Sequence, residues 1–200
     1  MKWILKDVTQ ETNHRFLNFF TLHYEVAGKP YDYFMASRRS KEELRALHKD
    51  DKQLPDGVII LLYKMDNGEP KFALTQEFRP PYNRYFTSVP AGLVEKGEDV
   101  LIAAKREAKE EVGVDVDHLR LLLPPSSTSE GMSDEMNCVV IGEIVSLGEK
   151  QPDGNEDISL ILANKEEVRR MLDDPSRIFP LPGRLCLELL LANFDNLKGS

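Results

Sequence analysis

Two long apolar runs mark the most deeply buried strands of this chain. Residues 58–65 read VIILLYKM and residues 138–145 read CVVIGEIV, with little alternation between apolar and polar side chains. Runs of this kind are typical of strands that are covered on both faces. The Asn-Gly pair at residues 67–68 is a turn signal, so residues 71–79 (KFALTQEFR) are predicted to return beside the first run as a hairpin.

The N-terminal part of the chain predicts a separate small sheet. Residues 14–39 are rich in aromatic side chains and predict two or three strands, with a Gly-Lys-Pro turn at residues 28–30. Residues 40–54 are polar, with some helical character, and predict a linker or a short helix. We therefore predict an N-terminal strand subdomain at residues 1–45 and a main domain at residues 46–200. The N-terminal strands have too little sequence around them to form a core alone, so we expect them to pack on a partner subunit in a homodimer.

Helical spacing appears in the middle of the chain and near its end. Asp99 can cap a helix start, and Gly113 can supply the left-handed residue that ends it. The buried stripe of this helix is expected to consist of Leu101, Ala104, Ala108 and Val112. Residues 164–174 and 183–194 predict two further helices, and residues 157–163 (DISLILA) predict the last strand. This order predicts an α/β (α+β) fold, in which a mixed sheet has helices on both sides.

Composition narrows the class of protein. A net charge of −8 disfavours nucleic acid as a partner. No apolar run approaches the roughly 20 residues that span a bilayer, and the N-terminus shows no signal-peptide pattern, so we expect no membrane partner and a cytoplasmic location. Cys138 and Cys186 lie in apolar segments and are expected to be buried, reduced thiols.

Three glutamates crowd one side of the central helix. Glu107 and Glu111 are four residues apart, and Glu110 lies three residues after Glu107. Like charges at this spacing destabilise a helix by roughly 0.2–0.5 kcal/mol per pair, and Arg106, four residues before Glu110, offsets only part of this cost. An acidic helix face is usually just a solvated surface. A carboxylate cluster is also what a hard cation such as Mg²⁺ needs, because Mg²⁺ binds between protein carboxylates and substrate phosphates.

The spacing of these residues resembles the signature of the Nudix hydrolase family. That signature runs from a glycine through a glutamate to an Arg-Glu pair, a Glu-Glu pair and a closing glycine. Its defined positions are filled here by Gly92, Glu98, Arg106, Glu107, Ala108, Glu110, Glu111, Gly113 and Val114. The resemblance implies an α/β/α sandwich and a loop–helix–loop that binds a divalent metal. It also implies hydrolysis of a diphosphate that is linked to another moiety, so the main domain would be a Nudix hydrolase domain.

Flanking segments resemble the ADP-ribose pyrophosphatase branch of that family. Residues 76–81 (QEFRPP), 89–95 (VPAGLVE) and 129–135 (SEGMSDE) are similar to segments that members of this branch carry. Two positions depart from the branch. Glu130 replaces a proline that marks ADP-ribose specificity. The second position is Ser88, because members of the branch often have a glutamate near this position. We expect Glu130 to make its loop looser and the selectivity for ADP-ribose weaker.

The resemblance also implies roles for individual residues. Mg²⁺, with Mn²⁺ as a substitute, is expected to bind Glu107 and Glu111, with Glu110 as an additional ligand and the backbone carbonyl of Ala91 as a third ligand. Arg106 is expected to orient this set through ion pairs. The residues required for the backbone path alone are Gly92 and Gly113.

The remaining candidates lie outside the helix. By the same resemblance, the general base is expected to be Glu135, with Asp134 as its nearest competitor. Both lie in the loop that follows the predicted β-strand after the signature segment, residues 92–114, which is called the box below. Arg79 is the best candidate for contacting a substrate phosphate. Weaker substrate candidates are Arg38 and Arg39, and Glu98 is expected to be a structural or outer-shell carboxylate at the same site. The aromatic side chains available for stacking on a base are Phe34, Tyr82, Tyr85 and Phe86, although aromatic residues in strands more often pack in a core.

The leading function is Mg²⁺-dependent hydrolysis of ADP-ribose or a related nucleoside diphosphate sugar to a nucleoside monophosphate and a sugar phosphate. One alternative is a Nudix hydrolase that acts on other dinucleotides or on nucleoside triphosphates. The other is a non-catalytic Nudix domain that senses nucleotides. A sensor would be free to lose the glutamates of the box, and all of them are present here.

Overall fold

The computed structural model describes residues 2–44, 54–149 and 157–199. The chain forms two compact units. The N-terminal unit combines Met1–Pro55 with Pro125–Asn137, and the larger unit combines Asp56–Pro124 with Cys138–Ser200. The predicted boundary between residues 45 and 46 lies outside the described residues and stays a prediction.

The N-terminal unit is built on a three-stranded antiparallel sheet. Its strands are β1 (Trp3–Gln10), β2 (Asn18–Val26) and β3 (Lys29–Ser37), in the order β1-β2-β3. The hairpin between β2 and β3 turns at Ala27 and Gly28, which both have positive φ. The turn therefore lies one residue earlier than predicted, and Lys29 already belongs to β3.

This unit has a hydrophobic core of its own. The core consists of Val8, Phe20, Leu22, Met35 and Leu44. The expectation that these strands could not form a core alone is therefore wrong. The reason is that β1, which the sequence pattern did not predict, contributes Val8, and the helical residues 41–44 contribute Leu44. The lack of a core therefore no longer supports the predicted homodimer, which stays a prediction.

The larger unit contains a seven-stranded sheet. Five strands follow one another in the order β10-β5-β4-β9-β8, while β6 pairs with β5 and β7 pairs with β4. The strands are β4 (Gly57–Asp66), β5 (Glu69–Arg79), β6 (Arg84–Ser88), β7 (Ala91–Leu93), β8 (Val114–Ser127), β9 (Met136–Leu147) and β10 (Ile158–Ala163). The predicted hairpin is present, because β4 and β5 pair antiparallel around Asn67 and Gly68.

Helices cover both faces of this sheet. The helices are α1 (Val100–Val112), α2 (Lys165–Asp173) and α3 (Leu181–Gly199). Alternate residues of β4 enter different cores. Val58, Ile60 and Leu62 pack with α1, while Ile59, Leu61 and Tyr63 pack with α2 and α3. The predicted α/β fold with helices on both sides of the sheet is confirmed, and the unbroken apolar run of β4 reflects burial on both faces.

Helix α1 has the predicted ends and the predicted buried stripe. The Asp99 side chain accepts hydrogen bonds from the backbone N–H groups of Leu101 and Ile102, and Gly113 closes the helix in the left-handed region at φ 70°. Ala104, Ala108 and Val112 are buried, as predicted. Leu101 is only partly buried against the same core, and Ala103, which was not predicted, is fully buried. None of the helices in the described part of the chain is long and apolar enough to cross a membrane.

The two cysteines are free and buried, as predicted. Burial raises the pKa of the Cys138 thiol above its usual value, and it raises the pKa of the Cys186 thiol to about 11. A thiol with a raised pKa is protonated at neutral pH and unreactive, so both residues act as small apolar side chains.

Candidate active site

The loop that leads into α1 starts from a fixed point on the sheet. Strand β7 pairs antiparallel with the start of β4, so that Ala91 lies opposite Ile59 and Gly92 lies opposite Val58. The backbone N–H of Val94 also donates to the carbonyl of Asp56 at 3.0 Å. The first residues of the box therefore have little freedom.

Arg106 is the hub of the carboxylate cluster. Its Nε and Nη2 donate to the two oxygens of Glu98 at 3.0 and 2.9 Å. Its Nη1 donates to Glu107 Oε1 at 2.8 Å and to Glu110 Oε2 at 3.0 Å. Nη2 also donates to the carbonyl of Leu93 at 2.9 Å. These five contacts match the five N–H donors of a guanidinium, so Arg106 is committed to organising the loop and the helix.

The contact between Glu98 and Arg106 shifts the pKa of both groups toward their charged forms. The hydrogen bonds to Glu98, followed by those to Glu107 and Glu110, raise the pKa of Arg106 well above its ordinary range. The same contact with Arg106 holds the pKa of the Glu98 carboxyl below its usual value. Four carboxylates (Glu98, Glu107, Glu110 and Glu111) against one guanidinium give these five side chains a net charge of −3 (−4 and +1). The cluster therefore favours an added cation.

Two of the glutamates lie directly against the start of the box. A Cβ atom on Gly92 would lie 2.0 Å from Cδ of Glu107, far inside van der Waals contact. The backbone N–H of Ala91 donates to Glu111 Oε2 at 3.2 Å. The requirement for glycine at position 92 thus comes from the close approach of the Glu107 carboxylate, and the Gly113 requirement comes from its positive φ.

The donor set fits a hard divalent cation in its chemistry, because all of its side-chain donors are carboxylate oxygens. In the described residues, no group of three or more His, Cys, Asp or Glu side chains is spaced to hold a metal ion. Glu107 and Glu110 each give an oxygen to Arg106, and Glu111 gives one to Ala91 N–H. The structure brings the predicted ligands Ala91, Glu107, Glu110 and Glu111 to one side of α1, and metal binding would require their carboxylates to turn toward a common point.

The predicted phosphate contact Arg79 lies at the end of β5. Its Nη2 forms an ion pair with Glu77 at 2.7 Å, and its side chain is about half exposed. Arg84, which the sequence interpretation passed over, lies directly opposite Arg79 in the pairing of β5 with β6. The Arg84 side chain is exposed and has no hydrogen-bond or ion-pair partner within the part of the chain that the structure describes. The turn signal at Pro80-Pro81 could have indicated that Arg84 lies beside Arg79, because a turn there returns the chain along β5.

The aromatic candidates for base stacking separate into two groups. Phe86 is buried, at 7% exposure, and belongs to the core, whereas Tyr82 and Tyr85 are exposed near Arg84 in sequence. The Tyr85 hydroxyl donates to the Asp157 carboxylate, and this contact raises the pKa of Tyr85. Phe34 is also exposed, but it lies in the N-terminal unit and is stacked on Phe19.

The predicted base Glu135 belongs to the N-terminal unit. Its Oε2 accepts a hydrogen bond from the Thr128 hydroxyl at 2.8 Å, and its Oε1 lies 3.8 Å from Nε of Arg38. Its competitor Asp134 is tied more strongly, because Asp134 Oδ2 accepts from Nη1 of Arg39 at 2.9 Å and from the Ser37 hydroxyl at 3.0 Å. Glu135 is the more exposed of the two carboxylates, which favours it as the reacting group.

The structure matches what the box implied. It has an α/β/α sandwich, and a loop and a helix carry a cluster of glutamates around one arginine. The family model for the NUDIX domain matches residues 53–179. The chain therefore belongs to the Nudix family, and the resemblance predicted from residues 92–114 is confirmed.

Relatives with described activities are found in the same family. The chain is 31% identical over 123 residues to the ADP-ribose pyrophosphatase of Bacillus subtilis (strain 168), covering 56% of this chain and 65% of that protein. It is 35% identical over 99 residues to the ADP-ribose pyrophosphatase of Saccharomyces cerevisiae (strain ATCC 204508 / S288c), covering 48% of this chain and 42% of that protein. A methanol dehydrogenase activator of Bacillus methanolicus is 28% identical over 143 residues, covering 64% of this chain and 75% of that protein.

A solved structure has a similar fold. The crystal structure of an ADP compounds hydrolase superposes with a TM-score of 0.73 at 17% sequence identity, covering 100% of this chain and 97% of that one. At this identity the likeness shows the fold alone. The chain is thus a member of the Nudix family that has proteins named ADP-ribose pyrophosphatases among its relatives, and it spans less than two thirds of the length of those two proteins.

Proposed function

We propose that this protein hydrolyses the diphosphate bond of ADP-ribose, or of a related nucleoside diphosphate sugar, in a Mg²⁺-dependent reaction. The products are a nucleoside monophosphate and a sugar phosphate. The observation that carries the proposal is the Arg106 hub, which holds Glu98, Glu107 and Glu110 together while Glu111 lies against Ala91. The relatives named as ADP-ribose pyrophosphatases support the choice of substrate class.

The carboxylates of α1 would hold the metal. Glu107, Glu110 and Glu111, with the carbonyl of Ala91, would bind Mg²⁺, and Mn²⁺ would substitute for it. Bound there, the metal would neutralise the phosphate charge that slows attack on a phosphoanhydride. Arg106 limits the movement of Glu107 and Glu110, because it donates a hydrogen bond to each of them.

The other residues act on water and on the substrate phosphates. Glu135 would accept the proton of the water whose oxygen attacks one phosphorus, while the bridging P–O bond breaks and its electron pair leaves with the other phosphate. Arg79 would bind a phosphate oxygen after leaving Glu77, and Arg84 would add a second guanidinium at the same sheet edge. Asp134 is a poor candidate for the base, since Arg39 and Ser37 already hold its carboxylate.

A substrate panel tests the proposal. Purified protein with Mg²⁺ is incubated with ADP-ribose, UDP-glucose, NADH, diadenosine compounds and nucleoside triphosphates, and products are separated by chromatography. We expect the highest kcat/KM for ADP-ribose, with AMP and a sugar phosphate as products. If ADP-ribose is the poorest substrate of the panel, the substrate assignment is wrong. Tight binding of nucleotides without any turnover would favour the sensor alternative instead.

Two further properties belong to the same proposal. We propose a homodimer in which the N-terminal strands take part in the interface, supported by the exposed stacked rings of Phe19 and Phe34. We also propose a cytoplasmic location, in keeping with a small nucleotide as substrate and with no nucleic acid or membrane as partner.

A further inference from the structure

The 128–135 loop, which carries Glu135, is attached along strand β3 of the N-terminal unit. The backbone N–H of Ala36 donates to the carbonyl of Met132 at 2.9 Å. The Tyr33 hydroxyl donates to the carbonyl of Gly131 at 3.0 Å. The loop therefore extends the edge of β3 and is not a free surface segment.

The strongest of these attachments is an ion pair at the end of β3. Nη1 of Arg39 donates to Asp134 Oδ2 at 2.9 Å, with side-chain exposures of only 11% for Arg39 and 23% for Asp134. The Ser37 hydroxyl donates to the same oxygen at 3.0 Å and accepts from the backbone N–H of Arg39 at 3.0 Å. Nη2 of Arg39 donates to the carbonyl of Leu54 at 3.1 Å. A partly buried pair with these additional hydrogen bonds resists separation more than an exposed ion pair does.

We propose that Arg39 and Asp134 act as a positioning pair for Glu135, so that their ion pair sets where the reacting carboxylate lies. Asp134 is the residue directly before Glu135, and consecutive Cα atoms are only about 3.8 Å apart, so a shift of Asp134 is passed on to Glu135. Thr128 limits the opposite end of the loop, because its hydroxyl donates to Glu135 Oε2 and its backbone N–H to the Glu135 carbonyl. This inference rests on the proposed function and gives Arg39 a role other than substrate binding.

The environment of Arg39 separates the two roles. A guanidinium that binds a substrate phosphate needs a side chain that is accessible to solvent before the substrate arrives, as Arg79 is at 45% exposure. Arg39 has both Nη atoms engaged with protein acceptors and is 11% exposed, whereas its neighbour Arg38 is 41% exposed. Arg38 is therefore the better of the two for contacting a ligand, and Arg39 is suited to hold Asp134.

The kinetic test compares Asp134→Asn in two backgrounds. In the wild-type background, kcat for ADP-ribose should fall by about a hundredfold, the loss expected when a reacting group is misplaced by roughly 1 Å, while KM changes little. In the Glu135→Gln background, the same substitution should cause no further loss, because the group that it positions is already gone. Wild-type kcat in Asp134→Asn, or an equal loss in both backgrounds, would overturn the proposal.

Control variants separate positioning from general destabilisation. Glu25→Gln breaks the exposed ion pair between Lys6 and Glu25 (3.0 Å) in the same unit and should leave kcat unchanged. If Asp134→Asn does not fold, Ser37→Ala takes its place, since it removes one donor to Asp134 and leaves the ion pair. A smaller fall in kcat that is again absent in the Glu135→Gln background supports the proposal, and an unchanged kcat contradicts it.

Hydrogen exchange tests the positioning pair without any activity. The Ala36 amide, which donates to Met132, should exchange faster in Asp134→Asn than in the wild type, while amides of β2 keep their rates. An unchanged exchange rate at Ala36 would overturn the proposed positioning role of the pair, even if the enzyme is active. If exchange responds as expected but the wild type hydrolyses no nucleoside diphosphate compound, the pair stands and the proposed function fails.

Discussion

The Glu107 carboxylate lies over the Cα atom of Gly92, in the space that a side chain at position 92 would need. A Cβ there would lie 2.0 Å from Cδ and 2.3 Å from Oε2 of Glu107. This contact joins the first residue of the box to the helix, and it places a predicted metal ligand directly on the strand β7 backbone. Glycine at this position is therefore required by the carboxylate beside it.

Gly92→Ala should displace Glu107 and lower both the activity and the stability. We expect a loss of about 1–3 kcal/mol in the free energy of unfolding, as for other overpacked sites, and a fall in kcat/KM of at least tenfold. The matched control is Gly68→Ala in the β4–β5 turn, where φ is +86° and nothing lies within 4 Å. The control should lose stability through backbone strain and keep its kcat/KM. Equal activity in both variants would show that Glu107 does not need its place over Gly92.

The pairing of Glu98 with Arg106 should make stability depend on pH in the acid range. The pKa of Glu98 is lowered in the folded protein, mainly by hydrogen bonds from Arg106. Its contribution to stability is therefore fully present above the unfolded-state pKa of about 4.3 and is lost as pH falls through the lower folded-state value. The difference in free energy of unfolding between the wild type and Glu98→Gln should shrink from pH 7 to pH 3. A difference that is constant over this range would contradict the assignment.

Several of these relationships were open to prediction from the sequence and others were not. The strand β4 and the ends of α1 follow from local patterns, namely an unbroken apolar run, a capping aspartate and a closing glycine. Strand β1 was not predicted, because only Val8 of its eight residues is buried and the strand shows no alternation of apolar and polar residues. The bond from Tyr33 to Gly131 joins residues 98 positions apart, and the opposition of Arg79 and Arg84 depends on strand register. No local pattern encodes contacts of these kinds.

The exposed aromatic face of the N-terminal unit should mediate dimer formation. Phe19 and Phe34 stack with ring centroids 6.2 Å apart and are 45% and 58% exposed. We expect a homodimer by light scattering at micromolar concentration, and a monomer for Phe34→Glu, because a charge would be buried in the interface. Leu185→Glu, at a residue that is 59% exposed in α3, is the control and should remain dimeric. A monomeric wild-type protein would contradict the prediction.

Glu130 should weaken the selectivity for ADP-ribose. It lies exposed in the 128–135 loop, one residue after Ser129, whose carbonyl accepts from the N–H groups of Met132 and Ser133. Proline at position 130 would remove a negative charge near an anionic ligand and stiffen the loop. Glu130→Pro should therefore raise the ratio of kcat/KM for ADP-ribose to that for UDP-glucose. An unchanged or lower ratio would show that this position does not set selectivity.

The dependence of turnover on metal and on Glu111 tests the central claim most directly. Initial rates with ADP-ribose are measured for the wild type and for Glu111→Gln, in Mg²⁺, in EDTA, and after Mg²⁺ is restored in excess, with thermal unfolding as the control for folding. We predict that EDTA abolishes turnover, that Mg²⁺ restores it, and that Glu111→Gln loses about a thousandfold or more in kcat while it stays folded. Full turnover by the wild type in EDTA, or a near wild-type rate for Glu111→Gln, would contradict the account.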